Sequence, residues 1–294
     1  MRILLSIAVL FSCAARAESP LVDTAGAATL ENTLFIDARG AEAFAAGHIP
    51  GAANLDVDTL SETRDGVIGM LKVHGDLVPL FAAAGLEPGK TLVAYGGLEE
   101  AGDVKGVTRL FWALAHSGFN DVRLLDGGLA KWKAEGGAVE TGPSKVMPLV
   151  KIEYLAELKR AESLGVNKAQ LTAAMDRGTG LVVDLRSKDE YTGRSKKDFV
   201  KNSGHIPGAK SKPANSFVEG EYFTFKSPEK IREMIGSGAA AGKKPVITYC
   251  NSGRDATVGY VAYRIAGYES IAVYDGSMAE WGNDDSCPLA DGEE

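Results

Sequence analysis

Cysteine is scarce in this chain of 294 residues: there are three, and one of them, Cys13, lies near the start. No two have Cys-x-x-Cys spacing and the four histidines are scattered, so no Cys/His metal cluster is written in the sequence. Once Cys13 is set aside, Cys250 and Cys287 could form one disulfide in an oxidising compartment. Such a bridge would consume the thiol singled out below, so Cys287 is read as free or incidental. Positive charge is also in deficit, with 32 Lys and Arg against 39 Asp and Glu, a net charge of −7. A field of that sign disfavours nucleic acid as a partner. The apolar run at residues 3–11 falls well short of the roughly 20 residues needed to cross a bilayer. It follows Met1-Arg2 and precedes Ala15-Arg16-Ala17, the charged start, short apolar region and A-x-A end of a secretory leader. Cleavage after Ala17 is expected, giving a periplasmic or secreted protein with no membrane span and two fewer positive charges. Phe11, just before Ser12-Cys13, argues against lipid attachment at Cys13.

With 45% hydrophobic and 24% charged residues, the chain has an ordinary globular composition and a length suited to two domains. A repeat supports that division. Leu34-Phe-Ile-Asp37-Ala-Arg39 is echoed by Val182-Val-Asp184-Leu-Arg186, and Gly-His-Ile-Pro-Gly-Ala occurs at 47–52 and again at 204–209. Leu125-Asp-Gly-Gly128 with Trp132 matches Tyr274-Asp-Gly-Ser277 with Trp281. The Asp37/Asp184, His48/His205 and Trp132/Trp281 pairs lie 147, 157 and 149 positions apart, as in a duplication with unequal insertions. Each half alternates short strands with helical stretches, which predicts an α/β fold with a parallel sheet covered by helices on both faces. The expected layout is a leader at 1–17, a first domain at 18–142, a linker at 143–150 and a second domain at 151–294. Helix is expected over 152–160 and again over 161–178. The two histidines of the repeated phrase read as hydrogen-bonded scaffold, and the two tryptophans as core.

The chemistry concentrates at Pro245-Val-Ile-Thr-Tyr-Cys250-Asn-Ser-Gly-Arg-Asp255, where a strand ends at a cysteine. Val258, Val261, Ala262 and Ile265 then give the i, i+3, i+4, i+7 stripe of a helix, and Gly267 stands where a C-terminal cap belongs. The first N–H groups of a helix have no intrahelical partner and favour an anion. Cys250 is therefore a candidate nucleophile, with its pKa expected to fall from about 8.5 toward roughly 3.5–7.5. Asn251, Ser252 and Gly253 allow N–H groups to curl inward as an anion nest, and Arg254 is expected to add a fixed positive charge. Asp255 opposes an anion there unless it pairs with a cation or caps the helix. In the first half, Leu92-Val-Ala-Tyr95-Gly96 puts glycine where the second half has its thiol. About five extra residues follow, including Glu99, Glu100 and Asp103. That half reads as catalytically silent.

The ordered set of strand-Asp-x-Arg, Glu-Tyr, Gly-His-Ile-Pro-Gly-Ala, strand-Tyr-Cys-x-x-Gly and Asp-Gly-x-x-x-x-Trp, duplicated, resembles the tandem-domain rhodanese family, the thiosulfate and 3-mercaptopyruvate sulfurtransferases. The resemblance implies two rhodanese-like α/β domains with the active loop of the second in the cleft between them. It further implies a double displacement, in which Cys250 takes the outer sulfur of a small-molecule donor as a persulfide and passes it to a thiophilic acceptor such as cyanide, a thiol or a thiol protein. No cofactor or metal is implied. Asn251, Ser252, Gly253, Arg254 and Asp255 would bind the anionic donor. Arg186 would either orient that donor or pair with Glu190 or Asp189. Asn251 and Asp255 depart from the thiosulfate-type loop, Asn251-Ser252-Gly253 resembles the small polar run of the mercaptopyruvate type, and neither pattern is matched in full, which leaves the donor open. A Cys-x5-Arg phosphatase or arsenate reductase is disfavoured, because the sixth position after Cys250 is Ala256. The non-enzymatic alternative is a sulfur-carrying or binding module.

Overall fold

The structure, a computed structural model, describes residues 19–236 and 244–292; the leader expected at 1–17 lies outside the described residues. Two five-stranded sheets account for the two halves. In the first, the strands run spatially Leu21–Val22, Val122–Leu125, Thr91–Tyr95, Thr33–Asp37, Ala53–Asn54. In the second the order is Gly165–Val166, Ile271–Tyr274, Val246–Tyr249, Leu181–Asp184, Lys210–Ser211. Every pairing in both sheets is parallel. The orders are identical when equivalent strands are matched, and Asp37 lies beside Tyr95 as Asp184 lies beside Tyr249. The repeat in the sequence is thus a repeat of topology.

Side chains alternate between faces along a strand, so each sheet feeds two cores. In the second half Val182, Ile247 and Tyr249 face an outer core with Leu171, Tyr191 and Trp281. In the first half Phe35, Val93 and Tyr95 do the same with Phe44 and Trp132. The opposite faces, carrying Leu34, Ile36, Leu92 and Ala94 from one half and Val183, Val246 and Val273 from the other, meet in a single central core. Between the sheets lie two helices, Asp103–His116 and Arg254–Ile265, in contact along their lengths. Thr108 Oγ1 and Thr257 Oγ1 lie 2.9 Å apart there, both buried. The sequence predicts one buried stripe on the second of these helices. All the residues 256–263 are buried instead, because the helix is enclosed by its own sheet and by the other half. Gly267, at φ +93°, ends it as expected, its N–H donating to Arg264 O.

The two helices expected over 152–160 and 161–178 are shorter. The helical parts are Glu153–Ala156 and Lys168–Asp176, separated by a 3-10 turn and the edge strand Gly165–Val166. Pairing of that strand with Ile271–Tyr274 outweighs local helix propensity. Asn167 and Gln170 then form a reciprocal capping box that fixes the helix start. Among the described residues no helix is long and apolar enough to cross a membrane.

His116, the last residue of its helix, clamps the connection between the halves. Nδ1 donates to Ala161 O at 3.1 Å, Nε2 accepts from Arg160 Nη2 at 2.7 Å, and the ring stacks on Trp112. Burial and Arg160 hold its pKa below the usual imidazole range. With the folded pKa depressed, the unfolded chain binds more protons at mildly acid pH, so this contribution is complete above about pH 6.5 and lost as pH falls below it. The urea midpoint is expected to fall between about pH 7.5 and 5.5 by more in the wild type than in His116→Gln. Equal slopes would show that His116 does not titrate on unfolding.

Candidate active site

The strand Val246–Tyr249 is buried throughout and delivers Cys250 to its end with 1% of the residue exposed. Gly253, at φ +80° and ψ −10°, starts the helix Arg254–Ile265. The turn between them brings the N–H groups of Ala256, Ser252 and Gly253 onto the sulfur. The sequence suggests a nest of Asn251, Ser252 and Gly253; the N–H groups on the sulfur include those of Ser252, Gly253 and Ala256. A second element secures the loop. Ser277 Oγ accepts from Cys250 N–H at 3.1 Å and donates to Tyr274 O at 2.8 Å, while Met278 and Ala279 N–H groups donate to the carbonyls of Cys250 and Asn251. Ser277 adopts φ +48°, a left-handed conformation held by these bonds.

The thiol departs from expectation in its acidity. Burial, with the negative charge of Asp255 second, pushes Cys250 up to about 11, against the three N–H donors that favour the thiolate. Local loop geometry favours an anion, but the sulfur is buried in a core to which both halves contribute. In the second strand of a hairpin made of Ser61–Arg64 and Val67–Leu71, Gly69 lies so close to Ser252 that an added Cβ would sit 2.9 Å from both Ser252 Cβ and O.

Arg186 is buried and committed. Nε and Nη2 hold both carboxylate oxygens of Asp184 and Nη2 also donates to Gly204 O at 2.8 Å. Its ion pair is with Asp184, two residues back on the strand, and not with Glu190 or Asp189. Tyr249 Oη donates to Asp184 Oδ2 at 2.6 Å and accepts from Ile206 N–H, and His205 stacks on Tyr191 while its Nδ1 bonds Tyr191 O. In the first half Arg39, Asp37, Tyr95 and His48 repeat the arrangement, down to Arg39 Nη2 on Gly47 O. A cage present in both halves, one of which has no thiol, is a scaffold, and the histidines are part of it. Asn251 is committed as well: Nδ2 donates to Glu190 Oε1 at 2.9 Å. Arg254 turns away from the nest to pair with Asp58 of the first half, which corrects the expectation that its charge sits beside the sulfur. Asn251, Ser252, Arg254 and Asp255 line a cavity of about 380 Å³ with Arg186, Glu190, Lys197 and Phe199 from the second half and Ala101, Gly102 and Lys105 from the first.

The rhodanese-like domain model matches residues 23–135 and again 167–284. The chain belongs to the rhodanese-like family, in two copies. A relative 31% identical over 84% of this chain and 87% of its own length is the sulfur carrier protein TtuD of Thermus thermophilus. The rat 3-mercaptopyruvate sulfurtransferase is 28% identical over 80% of this chain and 76% of its own. The thiosulfate sulfurtransferase YnjE of Escherichia coli is 29% identical over 84% of this chain and 56% of its own. The crystal structure of YnjE superposes with a TM-score of 0.78 at 26% identity, covering 89% of this chain and 63% of that one, so the present chain spans under two thirds of YnjE.

Comparison of the two rhodanese domains shows how the loop of the first differs from that of the second. Gly96 and Gly97 accept the N–H groups of Leu129 and Ala130, as Cys250 and Asn251 accept from Met278 and Ala279. The register is the same, but the thiol is gone and the nest is filled from within: Asp103 Oδ2 accepts from the N–H groups of Glu99 and Glu100. The additional residues are divided between a longer loop and a helix of 14 residues against 12. Ser277 is the residue sequence reasoning passed over as functional. Its signal was the one unlike position in the repeat Asp-Gly-Gly128 against Asp-Gly-Ser277, where Gly128 has φ +54°. A side chain was introduced at a position favouring glycine in the half that has a thiol to hold.

Proposed function

We propose that this rhodanese is a sulfurtransferase that moves sulfane sulfur from thiosulfate or 3-mercaptopyruvate to a thiophilic acceptor, through a persulfide on Cys250. The observation that carries the reading is the set of three backbone N–H groups on the Cys250 sulfur, in the one domain that keeps a thiol at that position. Three fixed donors match what a persulfide anion and a departing sulfite or pyruvate enolate require: stabilisation that needs no reorganisation during the reaction. The side chains of Arg186 and Asn251 act as supports of the loop, whereas the main chain of 252–256 holds the sulfur. Export through the leader is part of the proposal.

A carrier role is the second reading, favoured by the 31% identity to TtuD. A carrier would accept sulfur and release it to a protein thiol, while a turnover enzyme would release it to a small acceptor as well. The test is the intact mass of the reduced, leader-free protein after brief exposure to thiosulfate and, separately, to 3-mercaptopyruvate, followed by cyanide. The expected result is one added sulfur atom on the wild type, removed by cyanide, and none on Cys250→Ser, with turnover lower by at least roughly a thousandfold. A persulfide that resists cyanide and is discharged by a protein thiol would favour the carrier. A mass gain on Cys250→Ser would refute the assignment of the nucleophile.

A further inference from the structure

Duplication singles out one segment of the second domain that formation of the persulfide leaves without a task. Between Phe44 and Gly47 the first domain has two residues; between Tyr191 and Gly204, their counterparts, the second has twelve. This longer segment, 192–203, carries Arg194, Lys196, Lys197 and Lys201 against one acid, Asp198, in a chain whose net charge is −7. Its main chain is fixed. Val200 is 1% exposed in the outer core, Lys201 N–H donates to Asn283 Oδ1 at 2.8 Å, Asn202 N–H to Gly282 O at 3.0 Å, and Asn283 Nδ2 to Phe199 O at 2.9 Å. Residues 194–199 are nonetheless all exposed, and Phe199, at 38%, is the only exposed phenylalanine among the described residues. Lys197 and Phe199 line the cavity of about 380 Å³ together with Lys105 of the first domain and with Asn251 and Ser252, the two residues after Cys250. Among the described residues no carboxylate forms an ion pair with Lys105 or Lys197. The pairs Arg194–Asp189 and Lys201–Asp285 are exposed, where exchange for another carboxylate costs little.

Resting on the sulfurtransferase reading, we propose that segment 192–203 is a docking surface for a thiol protein whose cysteine lies in an acidic segment, and that this protein accepts the Cys250 sulfur. Charge complementarity chooses the occupant. The chain as a whole repels an acidic protein, so a basic patch at the edge of the cavity sets the orientation of approach as well as permitting it. A phenylalanine among basic side chains suits a protein contact, in which the ring supplies buried area and the charges supply register. A lipid surface is flat, whereas Lys197 and Phe199 belong to a concavity shared by both domains. Cys250 is 1% exposed, so the partner must bring its cysteine on a narrow segment. In the transfer the partner's thiolate attacks the outer sulfur of the persulfide and a new S–S bond forms on the partner. The bond from that sulfur to Cys250 breaks, its electron pair returns to Cys250, and Cys250 takes up the proton that the partner's thiol gave up.

The experiment loads Cys250 from thiosulfate or 3-mercaptopyruvate and follows discharge of the persulfide by mass spectrometry, with three synthetic peptides in turn as acceptor. Each has one cysteine, flanked by glutamates, by glutamines or by lysines, and rates are taken per thiolate. At low ionic strength the glutamate peptide is expected to react about tenfold or more faster than the lysine peptide, with the preference shrinking toward unity at about 0.5 M salt. In Arg194→Glu combined with Lys196→Glu the preference is expected to vanish or reverse. Phe199→Ser is expected to slow the glutamate and glutamine peptides alike by about threefold or more. Equal wild-type rates for the three peptides at low salt overturn the proposal without any substitution, and so does a preference that the double variant keeps. Retention of the wild type on phosphatidylglycerol vesicles, lost in the double variant while the peptides react equally, assigns the patch to a lipid surface and overturns it too. A wild type that takes no sulfur from either donor refutes the sulfurtransferase reading instead. The surface is then tested by fluorescence anisotropy of the glutamate peptide with serine in place of its cysteine. Binding to the wild type and not to the double variant is expected, and absence of binding overturns the proposal.

Discussion

Arg109→Ala is expected to lower the unfolding free energy by about 3–5 kcal/mol, the cost typical of stranding one partner of a buried ion pair. The Arg109 side chain is fully buried on the helix Asp103–His116 of the first domain, and Nη1 lies 2.5 Å from Asp275 Oδ1 in the second. Nη2 donates to Gly69 O at 2.9 Å, and the guanidinium lies over the Trp112 ring at 4.8 Å. Asp275 Oδ2 accepts from Leu71 N–H at 2.7 Å, so the pair ties the hairpin over the active loop to both domains at once. Removing the guanidinium leaves the Asp275 carboxylate, 13% exposed, with one backbone donor in a low-dielectric site. Urea unfolding at neutral pH measures the loss. Arg109→Met combined with Asp275→Asn is expected to recover most of it, because the penalty comes from the unpaired charge more than from the missing attraction. If the single variant costs under about 1 kcal/mol, the junction is wetter than its geometry indicates.

This strut also marks the limit of what the sequence could say. Period and repeat are local properties, and they disclosed two domains, the central strands ending at Asp37, Tyr95, Asp184 and Tyr249, the thiol at a strand end and the helix after it. Duplication disclosed more than motifs did. Arg39, matched to Arg186 in a half without a thiol, already implied that Arg186 is scaffold, and the Asp-x-Arg spacing contained its true partner. Arg109 and Asp275 are 166 residues apart and carry no local signal of their pairing. The acidity of Cys250 was misjudged for the same reason. A strand-loop-helix thiol read alone belongs at a low pKa, but burial, and after it the charge of Asp255, push this one up. Local chemistry was legible in the residues; the dielectric around it is a property of how the halves meet.

The strut sets the position of the sulfur through Gly253, and Gly253→Ala is expected to reduce persulfide formation by about 100-fold or more, the loss that a displacement of about 1 Å at a reacting atom can produce. Gly253 occupies the left-handed region at φ +80°, where a side chain costs roughly 1–2 kcal/mol. An added Cβ would stand 2.5 Å from Asp275 Oδ1 and 3.0 Å from both Arg109 Nη1 and Asp275 O. Neither neighbour can yield, since each holds the other and both are anchored to the hairpin. The loop must move instead, and the N–H groups of Ser252 and Gly253 move with it, away from the sulfur they support. The combination of strain and displacement predicts a split readout. Stability should fall by about 2–3 kcal/mol, well short of unfolding the chain, while single-turnover sulfur transfer nearly vanishes and the thiol grows still less acidic. Transfer at the wild-type rate in a variant destabilised by that amount would show that the nest, as built on Gly253, is not what stabilises the transferred sulfur.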